Sequence, residues 1–546
     1  MLQEKAVLQG RICNACKQEI QRDILDRNYS ICPKCGYYMR MHARKRILSL
    51  ADIDSFCEWD ADMKFSNPLQ DSEYAQKAVE ASEKHKLNDA IITGEMDIGG
   101  HHIAIGVMDT RYMMASMGYI VGEKVTRLFE KAKKLKLPVI VFCCSGGARM
   151  QEGIISLLQM EKTVAAVRSH SEAGLLFISV LTNPTMGGVT ASFAMLADVI
   201  LAEKDAVIGF AGKRVIEQNT GEKLPLGFQT AEYQKECGFI DAIVIREEIK
   251  NTLTRLLRLH SDKKTRLNKI NEIHAKSAVF QSTQLANNAW ERVKIVRGKN
   301  RPTSIDYINA LFHDFFEVSG DRIYRDDKAI IAGIATFHGK SFTIIGEQKG
   351  KKTLDDAMFR NFGMPSPDGY RKALRAIKQA EKFKRPIVCF VDTIGAACGV
   401  DAEKRGQGLA IAELLSELSV AKVPVLSIII GEGYSGGALA LTIGNEVWML
   451  ENAVFSIISP EGYSSIVWGT NDRKQEAAEK MKMSSIELYR MNVVDKIIAE
   501  EGIVTADNLG IVSQCIEQEI IGFYNKYINR PVNKIVHERQ KRYRQY

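Results

Sequence analysis

Two stretches of this chain share one pattern: a β-branched apolar run, a Gly-Gly pair, then an Ala-rich run with helical spacing. Residues 175–180 lead to Thr185-Met186-Gly187-Gly188-Val189-Thr190-Ala191-Ser192, and residues 423–430 lead to Gly433-Tyr434-Ser435-Gly436-Gly437-Ala438-Leu439-Ala440. Each predicts a buried strand, a tight turn and a helix. The flanking patterns match as well. Leu137-Pro138-Val139-Ile140-Val141-Phe142 precedes Ser145-Gly146-Gly147-Ala148, as Arg385-Pro386-Ile387-Val388-Cys389-Phe390 precedes Thr393-Ile394-Gly395-Ala396. Pro138 and Pro386 lie 248 positions apart, and Gly187 and Gly436 lie 249 apart. A period that long means a duplicated domain rather than a solenoid.

The same reading extends along the chain. Residues 90–109 alternate as a hairpin about Gly99-Gly100; 120–135 predict a helix, 139–143 a buried strand and 150–168 a helix. Residues 174–181 and 199–202 predict strands, with a helix from the first Gly-Gly turn to Ala197. Between 261 and 301 the texture turns polar, with Trp290 as its large anchor, which suits a helical linker. Beyond it, 306–318 predict a helix, 329–345 a hairpin about His338-Gly339, 370–383 a helix, 386–391 a strand and 407–418 a helix. Strands alternating with helices give an α/β layered architecture in both halves.

Composition adds bounds. The 546 residues are 45% hydrophobic and 26% charged with a net charge of +8, ordinary for globular proteins and only mildly favourable to anionic ligands. No apolar run approaches the roughly 20 residues that span a bilayer, and no signal-peptide segment opens the chain, so a cytoplasmic protein is expected. Four of its 11 cysteines form Cys13-x2-Cys16 and Cys32-x2-Cys35, separated by 15 residues. That is zinc-ribbon spacing, and four thiolates leave no open coordination position, so a structural Zn2+ is expected; a redox pair or disulfide clasp is the alternative. The basic run Met39-Arg40-Met41-His42-Ala43-Arg44-Lys45-Arg46 suits a solvated helix start or a phosphorylated ligand, and nucleic acid stays open as a secondary partner.

Three motifs test other chemistries. Gly346-Glu347-Gln348-Lys349-Gly350-Lys351-Lys352-Thr353 has the wrong glycine spacing for a phosphate loop, which excludes an ATPase of that type. Met481-Lys482-Met483 has the local look of a biotin-accepting lysine, but it follows the helical run 472–479 where a hairpin tip is required. Glu152 and Glu461 are the acids that a CoA-ester hydratase or isomerase would need. The Gly-Gly turns themselves suit anion stabilisation, because glycine lets a ligand approach backbone N–H groups closely.

The N-terminal half, with its four-cysteine ribbon, Ser145-Gly146-Gly147-Ala148-Arg149-Met150-Gln151-Glu152-Gly153, the turn from Thr185 to Ala194 and Phe210-Ala211-Gly212-Lys213-Arg214-Val215-Ile216, resembles the β subunit of bacterial acetyl-CoA carboxylase carboxyltransferase. The C-terminal half, with Asn361-Phe362-Gly363-Met364-Pro365, Arg405-Gly406-Gln407-Gly408, Gly431-Glu432-Gly433-Tyr434-Ser435-Gly436-Gly437 and Ser459-Pro460-Glu461-Gly462, resembles its α subunit. The resemblance implies a ribbon over 1–50, a β-type domain over 51–265, a helical linker over 266–300 and an α-type domain over 301–546. It further implies two crotonase-like domains and a transfer of the carboxyl group from carboxybiotin on a separate carrier protein to acetyl-CoA. The product is malonyl-CoA for fatty acid synthesis, with propionyl-CoA as the alternative acceptor. Biotin carboxyl carrier protein and biotin carboxylase follow as partners, and a homodimer with active sites between protomers as the assembly. By the same comparison Gly187 and Gly188 form one oxyanion hole and Gly436 and Gly437 the other, with Gly146, Gly147, Gly395, Ala396 and Arg214 as substrate-binding candidates. The chain departs from the family pattern at Ile394, Ala397, Cys398 and Tyr434, and these departures are expected to reshape the pocket wall.

Overall fold

The computed structural model describes residues 10–63, 65–261, 265–268, 288–350, 353–500 and 502–546. Lys351, Lys352 and residues 269–287 of the expected linker lie outside them. The chain divides into two compact units between Arg258 and Leu259.

The first unit opens with a hairpin of β1 (Arg11–Ile12) and β2 (Glu19–Ile20), around which Cys13, Ile20, Leu25, Cys32 and Met39 form a small core of their own. Its main sheet contains β3 (Cys57–Trp59), β4 (Ile91–Ile98), β5 (His101–Met108), β6 (Val139–Ser145), β7 (Phe177–Met186), β8 (Val199–Glu203), β9 (Ile208–Gly209) and β10 (Ala242–Val244). The order is β10-β8-β7-β6-β5-β4-β3, with β9 added to the end of β7. β3, β4 and β5 pair antiparallel and the rest pair parallel. The parallel strands β6 and β8 are buried along their whole length, which is why they read as unbroken apolar runs.

The second unit repeats this strand for strand: β11 (His313–Glu317), β12 (Ile330–Phe337), β13 (Lys340–Glu347), β14 (Ile387–Thr393), β15 (Val425–Tyr434), β16 (Glu446–Leu450), β17 (Val454–Ser456) and β18 (Lys496–Ile498). The order is β11-β12-β13-β14-β15-β16-β18, with β17 added to β15.

Three expected helices are corrected. The one over 306–318 stops at Leu311, and His313–Glu317 becomes an edge strand paired antiparallel with β12, as the β-favouring Phe315-Phe316 pair allows. The helices after the Gly-Gly turns are brief, Gly187–Thr190 and Ser435–Leu439. In the first, the Ser192 hydroxyl bonds back to the Gly188 carbonyl at 2.6 Å, a local bond that competes with helix continuation. Within 266–300 the helix Ala289–Val296 packs through Ala289, Val293 and Val296 against Tyr434, Val454, Ala478 and Met483. Tyr434 is therefore a core residue, and its bulk fills that seam rather than the pocket wall. Ile394 and Cys398 are exposed, and Ala397 is buried.

Candidate active site

The turns that end β6 and β7 press against each other. The Ser145 Oγ accepts a hydrogen bond from the Gly147 N–H at 3.0 Å. Gly147 has φ +120° and Gly187 has φ +59°. A Cβ placed on Gly187 would stand 2.9 Å from the Gly147 Cα, so the approach requires glycine. Most amides here are already used: Gly146 donates to the Met114 carbonyl at 2.8 Å, and Gly187 to the Phe210 carbonyl at 3.0 Å. The N–H groups of Ala148 and Gly188 have no acceptor among the described residues. The two residues are neighbours across the turns, with the Ala148 Cβ 3.5 Å from a Cβ built on Gly188.

The turns that end β14 and β15 follow the same plan. Thr393 takes the part of Ser145, accepting from the Gly395 N–H at 3.0 Å and donating to the Gly363 carbonyl at 2.6 Å. Gly395, with φ +131°, takes the part of Gly147. Strand register pairs Ser145 with Thr185 and Thr393 with Gly433, so one shift of 248 positions relates both turns. Gly187 therefore corresponds to Ser435 and Gly188 to Gly436, one residue away from the pairing expected from the sequence. The shift also relates two left-handed bends behind the turns, Met114 with φ +54° and Phe362 with φ +56°. Gly437 corresponds to Val189 and is glycine for a separate reason: a Cβ there would lie 2.4 Å from the Ala396 nitrogen and 2.8 Å from the Tyr370 hydroxyl oxygen. The amides of Ala396, Gly436 and Gly437 have no acceptor among the described residues.

A family model described as acetyl co-enzyme A carboxylase carboxyltransferase-like matches residues 239–546. The acetyl-coenzyme A carboxylase carboxyl transferase subunits beta/alpha of Clostridium tetani are 47% identical over 539 residues, 97% of this chain and 92% of that protein. The chain belongs to this carboxyltransferase family. The protein of the same name from Natranaerobius thermophilus is 45% identical, over 97% of this chain and 90% of its own. Among solved structures, a transcarboxylase 12S with methylmalonyl-coenzyme A and methylmalonic acid bound has a TM-score of 0.72 at 23% identity, covering 89% of this chain and 90% of that chain. Both units therefore have the crotonase-like carboxyltransferase fold, and the chain is a biotin-dependent enzyme that carboxylates acetyl-CoA.

In the carboxyltransferase, buried charges hold the turns. Arg149, just beyond Ala148, is fully buried and grips Asp89 with two bonds of 2.6 and 2.8 Å and the Ser116 carbonyl at 2.8 Å. Glu152 is sealed beside it, accepting from Tyr74 and from the Tyr119 N–H at 2.5 Å each. Glu461 is half-buried and paired with Arg297 at 2.7 Å. Neither acid has the free geometry that a hydratase base requires. Behind the second turn, Lys349 bridges Asp392 at 2.7 Å and Glu432 at 2.8 Å, and Arg297 joins Glu432 to Glu461.

Arg214 is exposed on the helix Lys213–Thr220, which Gly212 caps beyond Phe210. In the basic run, Arg44 pairs with Glu58, Lys45 with Asp26 and Arg46 with Glu203, so three of its cations are spent within the protein. The thiols of Cys13, Cys16, Cys32 and Cys35 converge within 4.8 Å of one another and form a cluster that could hold a metal ion. Sequence reasoning missed the Ala148 amide, which has no acceptor among the described residues. The signal that finds it is its position one residue after the positive-φ glycine, shared with Ala396.

Proposed function

We propose that the unsatisfied turn amides of this carboxyltransferase hold the two oxygen anions formed during transfer, Ala148 with Gly188 at one and Ala396 with Gly436 and Gly437 at the other. Transfer breaks the N–C bond of carboxybiotin and leaves negative charge on the ureido oxygen. The ureido group takes a proton from the acetyl methyl, and the resulting enolate carbon attacks the released carboxyl carbon to give malonyl-CoA. No side-chain nucleophile is required, and each well-aimed amide is worth roughly 3 kcal/mol in the transition state. One observation carries the reading: at matching bends of both units, the Ala148 and Ala396 amides have no acceptor among the described residues, while the amides on either side of each, Gly147 and Arg149, Gly395 and Ala397, are used. Gly187, whose N–H is bonded to Phe210, serves by letting the backbones close and not as a donor.

The cysteine cluster fits structural Zn2+. Two of its S···S separations are 3.7 Å, close to the ~3.8 Å edge of a tetrahedron with Zn–S bonds of 2.3 Å. Carboxybiotin arrives on a separate biotin carboxyl carrier protein, loaded by biotin carboxylase. The assembly is a homodimer with active sites between protomers. Each unit supports this with exposed apolar side chains close to its turns: Met150, Ile154, Leu157 and Leu158 in the first, Ile394, Val400 and Leu409 in the second.

The test is malonyl-CoA formation by Gly188→Val and Gly436→Val. A Cβ at Gly188 meets the flexible Met160 sulfur at 3.2 Å and the Ala148 Cβ at 3.5 Å, and one at Gly436 has the Ile411 side chain at 4.0 Å, so both variants are expected to fold. Each loses about a hundredfold or more in kcat because its side chain blocks the amide pair. Full activity in both would refute the assignment. Propionyl-CoA offered in parallel decides the acceptor.

A further inference from the structure

Ser435 stands where the first unit has Gly187, and both residues are left-handed, with φ +66° and +59°. Serine has no intrinsic preference for that region, whereas Gly, Asn and Asp do. In the first unit a side chain is excluded at this position, since a Cβ would press on the Gly147 Cα at 2.9 Å. In the second unit the turns stand further apart: a Cβ built on Gly147 lies 3.6 Å from the Gly187 Cα, whereas one built on Gly395 has the Ser435 Cα beyond 4 Å and meets the Ser435 Cβ at 4.0 Å. Room has been made for a hydroxymethyl group at a bend where its backbone is strained. The group is exposed, and its hydroxyl has no hydrogen-bond partner among the described residues. It is adjacent in the chain to Gly436 and sits over Gly395, which precedes Ala396, so it borders the amides that are themselves unsatisfied. Strain at a functional turn together with an unused polar group points to a role in ligand contact.

We propose that the Ser435 hydroxyl is an additional donor to the oxygen anion held by the Ala396–Gly436 turn, which makes the two turns unequal: one with backbone donors only, the other with a rotatable side-chain donor as well. The inference rests on the oxyanion reading of that turn. A hydroxyl can follow an oxygen as its geometry changes along the reaction, which fixed amides cannot.

The experiment compares Ser435→Ala, Ser435→Gly and Ser435→Asn in carboxyl transfer from malonyl-CoA to biocytin, with thermal unfolding of each variant. Alanine removes the hydroxyl and keeps the strain, glycine removes both, and asparagine tolerates the left-handed region and returns an N–H donor. The expected result is a loss of about tenfold to a hundredfold in kcat for Ala and Gly, KM for malonyl-CoA within about twofold, partial recovery in Asn, and a melting temperature for Gly no lower than wild type. Wild-type kcat in both Ala and Gly overturns the proposal. So does a loss that Asn fails to restore and that tracks a fall in melting temperature. If Gly436→Val is inactive while Ser435→Ala is silent, this inference alone falls; if Gly436→Val is fully active, the reading of the turn falls with it.

Discussion

A methyl group on Gly437 would collide with the Ala396 nitrogen, whose N–H has no acceptor among the described residues. Gly437→Ala is therefore expected to push the second turn open, costing about 1–3 kcal/mol as overpacking does and lowering kcat more than it raises KM. Steady-state kinetics alongside denaturant unfolding check both halves of that outcome. Glu347, at the end of β13, makes a different residue-scale prediction. It is fully buried, one carboxylate oxygen accepts from the Asp392 N–H at 3.2 Å, and the other has no partner among the described residues. Burial and then the neighbouring Asp392 hold its pKa well above the usual carboxylate range, against the opposing pull of the Asp392 N–H and Lys349. A raised folded pKa means that the folded state keeps a proton the unfolded state has lost. Stability contributed by that proton is complete below the unfolded value of about 4.3 and declines as pH rises toward the folded one. Glu347→Gln imitates the protonated acid, so its stability gain over wild type should be near zero at pH 4.5 and grow by up to about 1.4 kcal/mol per pH unit above it. Unfolding curves from pH 4.5 to 8 measure this; a constant difference across the range would contradict it.

At the scale of elements, Arg246 fastens the cysteine hairpin to the first sheet. It forms two bonds to Glu203 at 2.7 and 2.9 Å and donates to the backbone carbonyls of Met39 at 2.7 Å and Tyr29 at 3.1 Å. Burial pushes the Glu203 carboxyl up, but Arg46 and Arg246 outweigh it and hold the group below its ordinary value. Arg246→Met leaves Glu203 with one partner and frees the Met39 carbonyl, so it should destabilise the unit by roughly 3–5 kcal/mol and speed release to a chelator of the Zn2+ proposed for the cluster. Release at the wild-type rate would mean the hairpin holds its metal independently of the core. None of this clamp was legible in the sequence, where Arg246 and Glu203 are two charges 43 positions apart. Local pattern reached the buried strands, because parallel strands covered on both faces are apolar throughout, and it reached the cysteine cluster, because ligand spacing is local. It misplaced the second turn by one residue. Ser435 occupies a glycine's conformation, and a visible Gly-Gly pair is a stronger mark than a backbone angle. It missed Ala148 because an alanine is notable only for which amides around it are spent.

For the molecule as a whole, duplication gives each unit one set of turns with amides that have no acceptor among the described residues, and the proposed mechanism uses both as anion sites. Where the chain must pair with a second copy to complete each active site, the two sets of turns can be mutated separately and recombined. A Gly188→Val protomer keeps its second-unit turn, and a Gly436→Val protomer keeps its first-unit turn. In a mixed homodimer with active sites between protomers, one site receives both intact turns and the other receives both damaged ones. Random assortment makes half of the dimers mixed, so co-expression of two inactive variants should restore about a quarter of wild-type activity. Purification through two different tags, one on each variant, isolates the mixed dimer and should raise the recovered activity to about half. Sites completed within a single chain predict no recovery at any mixing ratio, since every chain then carries one damaged turn. The tandem-tagged preparation thus separates the two assemblies by activity alone.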